Sequence, residues 1–276
     1  MNNSRKNPTE HFKKALASVT KALADDQEVT IKYSAGNSEL VGKVVSLPQI
    51  SRKLDGSAIG VARGSADSIA MQLKHHDPTI NTKYLPKGEI ALKFFESMER
   101  ARCDSIGSIS LPGTARNIDA KIENNSTKFD VNTSATKDQV PMEEAANYLV
   151  YQLATGRNLS ASQEKVLNAW QDVFDKEAKA NFLNVKDSIF DQKAFARWSR
   201  EIIKDLGYGD QLGSNPDDEG SDRNIDQDQN QNEDQNELNE KEQNENEDDG
   251  GNENDEKSHE QTSVKNPLLA EEKLET

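Results

Sequence analysis

The distribution of charge along the chain is the feature that most limits what it can fold into. Residues 217 to 260 hold 19 acidic and three basic side chains, a local charge of −16, whereas the whole chain of 276 residues carries −15. Apolar side chains are almost absent there, so burial cannot offset the backbone entropy of about 1 to 2 kcal/mol that ordering each residue costs. We therefore predict a folded module over residues 1–208 and a disordered Asn/Gln/Asp/Glu-rich acidic tail over residues 209–276.

The acidic tail is open to three interpretations. A solvated spacer is the usual role of this composition. A specific acidic binding segment is the second interpretation. A cobalt reservoir is the third, since carboxylates bind divalent ions weakly and unselectively.

The remainder of the chain is close to neutral, which argues against binding to nucleic acid through its phosphates. The sole cysteine, Cys103, can form neither an internal disulfide nor a cysteine-rich zinc site, and it favours a reducing compartment. The sequence contains no apolar run typical of an export signal, and none near the roughly 20 residues that span a bilayer. We expect a cytoplasmic protein that binds neither nucleic acid nor membrane.

Apolar residues at helical spacing dominate the module. In the first helical segment, five apolar side chains fall on one face: Phe12, Ala15, Leu16, Val19 and Leu23. Residues 57–76 are either one helix packed closely at Gly60 and Gly64 or a helix that restarts near Ser65. The same spacing predicts further helices over residues 89–107, 141–156, 162–178 and 192–207.

Two segments near the N-terminus have the pattern of strands. EVTIKY alternates apolar and polar residues, ELVGKVVSLP is a second extended run, and SAGNS between them supplies turn residues, which predicts a hairpin. Residues 77–88 are read as a turn, and residues 108–138 as a mixture of short helix and loop. The predicted fold class is mainly α with one β-hairpin, and two subdomains meeting near residue 130 are the alternative.

His75 and His76, followed by Asp77, suggest a metal site by residue type. Neighbouring residues of a helix point about 100° apart, and no histidine at the fourth position completes a ligand pair. The alternative is structural: histidines favour the negative end of a helix dipole, and Asp77-Pro78 ends the helix. The geometry favours the structural interpretation.

Arg63 and Asp67 stand four residues apart, which on a helix allows an ion pair of a few tenths of a kcal/mol. Ser65 and Ser68 could cap a restarted helix. A serine nucleophile would need a base and an oxyanion hole, and the sequence identifies neither.

The sequence contains no glycine-rich nucleotide-binding motif. Arg100 and Arg102 lie beside Glu99 and Asp104, so they form either intrahelical ion pairs or a basic docking strip. The sequence alone leaves these two interpretations open.

Six segments follow one another in a distinctive order: FKKALASVTKALA, EVTIKYSAGNSELVGKVVSLP, IGVARGSADSIAMQLKHHDPTIN, GEIALKFFESMERARCDSIGS, PMEEAANYLVYQLATGR and QKAFARWSREIIKDLG. Their most specific elements are R-G-x-x-D-S-x-A, H-D-P and E-x-A-R-x-x-x-I-G, in this order. This order of segments resembles the N-terminal part of the CobT subunit of aerobic cobaltochelatase. The resemblance covers about residues 10 to 208 and continues into an acidic linker.

The resemblance implies a three-component complex that uses ATP, magnesium and cobalt to insert cobalt into hydrogenobyrinic acid a,c-diamide. In that family a large subunit holds the macrocycle, an AAA+ subunit hydrolyses ATP, and the CobT-type subunit couples them. The module would then be a docking unit that has no active site and binds no cofactor or metal itself. The candidate docking residues are Arg63, Asp67, His76, Arg100 and Arg102.

The sequence departs from the family in one respect. Family members end in a von Willebrand A domain with a D-x-S-x-S motif, which is not found in this sequence. The coupling function associated with that domain is therefore not carried over. A standalone interaction adaptor, or a remnant without chelatase activity, is the alternative.

Overall fold

The structure is a computed structural model that describes residues 8–36, 38–50, 55–129 and 136–217. The chain divides into two units, Met1–Gly220 and Ser221–Thr276, and all described residues belong to the first. The predicted disorder of the tail, beyond residue 217, lies outside the described residues.

The described residues are mainly helical, as predicted. A π-helical turn, Phe174–Ala178, links α8 to α9, and a second, Lys204–Tyr208, follows α10. None of the described helices is both long and apolar enough to cross a membrane. The helices are α1 Pro8–Ala24, α2 Gly56–His75, α3 Pro78–Tyr84, α4 Glu89–Ser110, α5 Pro112–Ser126, α6 Met142–Thr155, α7 Ala161–Asn168, α8 Gln171–Val173, α9 Lys179–Asp187 and α10 Gln192–Ile203.

Local sequence signals set many helix ends. The Asp55 side chain accepts a hydrogen bond from the Ala58 amide at 2.7 Å and starts α2. Gly156 ends α6 in the left-handed conformation, with φ 66°. Such capping satisfies backbone groups that have no partner inside the helix.

The sheet confirms a β-hairpin but corrects its strands. Its strands are β1 Thr30–Ser34, β2 Glu39–Val41 and β3 Val44–Pro48, in the order β1-β3-β2. β2 pairs antiparallel with β3, whereas β1 pairs parallel with β3. The run that the sequence analysis read as one extended strand folds back at Gly42, whose φ of 57° suits a tight hairpin turn. The predicted hairpin between the first and second runs was therefore wrong.

Two segments are more helical than predicted. The assumed turn at residues 77–88 contains α3, which begins because the Asp77 carboxylate accepts from the Thr79 amide at 2.8 Å. Residues 108–138 contain the four-turn helix α5, whose first residue is Pro112 and whose Ile118 and Ile122 are buried. Proline at a first helical position was the signal that the sequence analysis underused.

The buried face of α1 also differs from the prediction. Val19, assigned to the apolar face, is 49% exposed. The residues of α1 that are buried lie on a neighbouring, partly polar face: Thr9, Leu16, Thr20 and Ala24.

Helix α2 is continuous, which decides between the two sequence-based alternatives. A Cβ at Gly64 would lie 2.0 Å from the carbonyl oxygen of Asn117, so only glycine allows α5 to approach this closely. At Gly107 of α4, a Cβ would lie 2.5 Å from Met71 of α2. The glycines of the family-like segments therefore bring α2, α4 and α5 together.

The buried apolar side chains form two clusters. The smaller one joins α1, the sheet and α2, and receives Cys103 from α4. The larger one lies among α3 to α7, α9 and α10, with Phe94, Met98 and Ile202 at its centre. Helix α4 contributes to both clusters and therefore connects the N-terminal part of the module to the rest.

Residues 209–217, which the sequence analysis assigned to the tail, contact the helices. The Gln211 side-chain oxygen accepts from the amides of Ile90 and Ala91 at 3.1 Å each, and its carbonyl accepts from Gly88. Helix α4 has no side-chain cap of its own, because Gly88 stands at its N-cap position. Gln211 therefore supplies the missing cap.

Candidate functional site

The five docking candidates from the sequence do not share one surface. Arg63 and Arg100 are exposed, and His76 is partly exposed. Asp67 and Arg102 are only 3% and 2% exposed. Because both are enclosed by their own fold, the assignment of Asp67 and Arg102 to a docking surface is corrected here.

Arg102 is the centre of a buried ion network. Its Nε donates to Glu99 Oε2 at 2.8 Å, and its Nη2 donates to Glu99 Oε1 at 2.7 Å. The remaining guanidinium donors bind the carbonyl oxygens of His75 and Ile189. His76 Nδ1 lies 2.8 Å from Glu99 Oε1. The network thus joins the end of α2, the middle of α4 and the segment before α10.

The electrostatics of this network favour its ionised form. Burial raises the pKa of Glu99, but the hydrogen bonds from Arg102 and His76 outweigh burial and hold the pKa below its ordinary value. A bidentate guanidinium-carboxylate pair of this kind is rigid as well as strong. Of the two interpretations of Arg102, the structure supports intrahelical pairing.

Arg63 and Asp67 do not form the predicted ion pair. The Arg63 guanidinium lies over the ring of Phe12, 5.8 Å from its centre. Asp67 accepts a hydrogen bond from Asn117 Nδ2 at 2.7 Å, and burial raises the pKa of its carboxyl. Asp67 therefore fixes α2 against α5, while Arg63 stays on the surface.

A polar cleft lies between β2, β3, α2, α4, α5 and α6. Its volume is about 640 Å³, within the range of small-molecule sites. We name it the α5 cleft, and the lining residues that define it are Ser68, Arg100, Lys121, Lys128, Glu144 and Tyr148. Of the sequence candidates, only Arg100 lines it.

Three basic side chains converge on one carboxyl of the cleft. Burial raises the pKa of Glu144, whereas Arg100, Lys121 and Lys128 each lower it. Lys121 is held in place by Asp104 at 2.8 Å and by Ser68 at 2.6 Å. The α5 cleft therefore concentrates positive charge beside a half-buried acid.

Tyr148 is the most unusual group of the cleft. Its side chain is 1% exposed, and within the described residues its buried hydroxyl has no hydrogen-bond partner. Burial, together with nearby Glu144 and Glu123, raises the pKa of the phenol well above its ordinary value. The hydroxyl therefore remains protonated and available as a donor.

A second hollow, of about 420 Å³, lies beside α3 and α10. Asp217 closes it by accepting hydrogen bonds from Arg197 Nε and the Tyr84 hydroxyl, both at 2.7 Å. In the part of the chain that the structure describes, no group of three or more His, Cys, Asp or Glu side chains is placed to hold a metal ion.

Sequence reasoning missed most of the α5 cleft. Lys121 and Lys128 lie in or just after α5, which was not recognised as a long helix. Glu144 was read only as a favourable first-turn acid of α6. The buried pair Ile118 and Ile122, four residues apart, is the signal that would have placed Lys121 on a helix facing α2 and α4.

The fold and the cleft define a mainly helical protein with a cation-lined polar cleft. A family model described as "Cobalamin biosynthesis protein CobT" matches residues 6–274. The chain therefore belongs to the CobT family of cobalamin biosynthesis proteins, which confirms the resemblance seen in the sequence. No solved structure matches the chain.

Proposed function

We propose that this chain is a non-ATPase coupling subunit of cobaltochelatase. Its partners would be an AAA+ subunit that hydrolyses ATP with magnesium and a large subunit that holds the macrocycle. The complex would insert its substrate, cobalt, into hydrogenobyrinic acid a,c-diamide in the cytoplasm. The observation that carries the proposal is the family match over residues 6–274, because this family functions in cobalamin biosynthesis.

A coupling subunit has to keep its shape while its partners move. The buried Glu99-Arg102 pair supports this requirement, because it fixes α4 to two other parts of the module through charge-assisted hydrogen bonds. The close approach of α2 and α5 at Gly64 adds a second rigid contact. The family-like segments thus supply the rigidity that the role needs.

The exposed arginines of the same segments are the expected docking positions. Arg63 lies on Phe12 and Arg100 projects at the α5 cleft, and both are exposed. Arginine is enriched at protein interfaces because its planar group binds carboxylates and stacks on aromatic rings. We therefore expect Arg63 and Arg100 to contact partner subunits.

The test combines the full chain with the two partner subunits. Co-purification measures assembly, and cobalt insertion into the macrocycle measures function. We expect insertion to require the chain, and Arg63→Ala to weaken assembly by about tenfold, the effect of losing one well-placed interface arginine. Lys93→Ala is the matched control, because Lys93 is an exposed cation of α4 that pairs with Glu89 at 2.6 Å and does not line the α5 cleft.

Two outcomes would contradict the proposal. Cobalt insertion at the full rate without the chain would remove the coupling role. Assembly with neither partner would favour the adaptor alternative, in which the chain serves other proteins.

A further inference from the structure

Two cations of the α5 cleft, Arg100 and Lys128, form no ion pair within the described residues, whereas Lys121 pairs with Asp104 at 2.8 Å. Among the described residues Arg100 makes no hydrogen bond either, and Lys128 donates only to the Asn125 side chain at 3.0 Å. Glu144 lies near Arg100, Lys121 and Lys128 but forms no ion pair with any of them among those residues. These side chains are therefore placed to bind an anionic group that enters the cleft.

The Tyr148 hydroxyl is a second, independent indication of a ligand. Within the described residues this buried hydroxyl has no hydrogen-bond partner, so it carries the cost of an unsatisfied donor. Most buried polar groups are paired, and Tyr148 lines the cleft that Arg100 enters. An acceptor atom on a bound molecule would supply the missing partner.

The other side chains of the cleft indicate what kind of molecule would fit it. Asn124 offers an amide group, while Leu40 and Ile69 supply apolar surface to the same cleft. Inorganic ions have no apolar part to cover this surface. The lining is suited to an organic body that carries both a charged group and a neutral acceptor.

We propose that the α5 cleft is a binding site for a small organic anion. A carboxylate or phosphate group of the ligand binds Arg100 and Lys128, and a second acceptor atom receives the hydrogen bond from Tyr148. This site does not depend on the chelatase role, because the chain alone contains all of these residues.

The test is calorimetric titration of the full chain at low ionic strength with two probes. Citrate represents carboxylates with a hydroxyl acceptor, and glycerol 2-phosphate represents phosphates on a similar organic body. Triethyl citrate, which lacks the charges, is the neutral control. Saturable binding of either charged probe supports the site and identifies the anionic group.

The variants separate this site from general surface charge. Arg100→Ala should weaken binding by about tenfold or more, the effect of losing a charge-assisted hydrogen bond. Tyr148→Phe should weaken it by about threefold to tenfold without loss of folding, since no described residue bonds the hydroxyl. Lys93→Ala, on the same helix but outside the cleft, should change it less than twofold.

The proposal is overturned if neither charged probe binds saturably. It is equally overturned if Lys93→Ala weakens binding as much as Arg100→Ala, which would mean that the probes respond to surface charge alone. Binding that is unchanged in both Arg100→Ala and Tyr148→Phe would place the probes elsewhere.

Discussion

Arg100 and Arg102 occupy the same helix two positions apart and have opposite environments. Two residues along a helix correspond to a rotation of about 200°, so their side chains leave α4 on opposite sides. Arg102 is 2% exposed and bonded to Glu99 and two backbone carbonyls, whereas Arg100 is exposed beside an open cleft. In the sequence, residue type and spacing treated the two arginines alike, either as intrahelical ion pairs or as a basic docking strip. Because they point to opposite sides of the helix, Arg102 stabilises the fold and Arg100 is available for binding.

The difference also shows what each side of α4 requires. On the buried side, every charge needs a partner, because a desolvated ion without one is costly. On the cleft side, the guanidinium of Arg100 is exposed, so the lack of an ion-pair partner among the described residues costs little. Only the second arrangement can accept a ligand without first breaking a bond of the fold.

The largest predicted effect comes from removing the buried Arg102 side chain. Arg102→Ala leaves Glu99 buried without its main partner and should lower the free energy of unfolding by about 3 to 5 kcal/mol. Arg100→Ala, which removes an exposed side chain, should change it by less than about 0.5 kcal/mol. Urea denaturation followed by circular dichroism measures both.

Equal losses in Arg100→Ala and Arg102→Ala would contradict the division of α4 into two sides. If Arg102→Ala does not fold, Arg102→Lys serves instead. It keeps one charge but loses the bidentate geometry, and it should still destabilise more than Arg100→Lys.

The second prediction compares two buried tyrosines of α6, one whose hydroxyl has no partner among the described residues and one whose hydroxyl is hydrogen-bonded. Without ligand, Tyr148→Phe removes an unpartnered hydroxyl and should raise the free energy of unfolding by about 1 kcal/mol. Tyr151→Phe should lower it by about 1 kcal/mol, because the Tyr151 hydroxyl bonds Ser108 at 2.9 Å and Asp119 at 3.0 Å. The urea midpoint at constant slope measures the difference. A fall of equal size in both variants would mean that the Tyr148 hydroxyl already has a partner.

The smallest predicted effects concern pH and have opposite signs. The lowered pKa of Glu99 means that its stabilisation is present above the unfolded-state value of about 4.3 and is lost as pH falls through the folded-state value. The raised pKa of Glu144 means the reverse: its stabilisation is present below about 4.3 and is lost as pH rises through the folded-state value.

Glutamine variants measure these two contributions. Relative to the unsubstituted chain, Glu99→Gln should become less stable as pH rises from below the folded-state pKa of Glu99 to above about 4.3. Glu144→Gln should become more stable as pH rises from about 4.3 through the folded-state pKa of Glu144. Melting temperatures taken at each pH measure both changes. Differences of the same sign in both variants would contradict the assigned pKa directions.

Apart from α3, α5 and α9, the sequence predicted the helices of the module, because their apolar spacing is regular and their ends carry standard signals. The end of α6 at Gly156 and the break at Asp77-Pro78 are examples. The pairing of β1 could not be predicted, because a parallel partner depends on contacts distant in sequence, whereas a hairpin is the default for neighbouring runs. The turn at Gly42 was hidden inside an apolar run.

The α5 cleft could not be predicted from the sequence for a different reason. Its residues come from six elements, β2, β3, α2, α4, α5 and α6, and none of them forms a motif alone. Arg102 shows the converse problem: its family-like motif suggested a docking role, and only burial revealed that it serves the fold. Motif spacing identifies which residues matter, but tertiary packing decides what they do.

The cap that Gln211 provides has a consequence for the order of synthesis. The ribosome adds Gln211 121 residues after Ile90, whose amide it binds. At about 5 to 20 residues per second, that interval lasts about 6 to 24 seconds. For all of that time the first turn of α4 lacks its cap. The helix that bears both the buried pair and the cleft arginine can therefore be completed only when translation of the module is nearly finished.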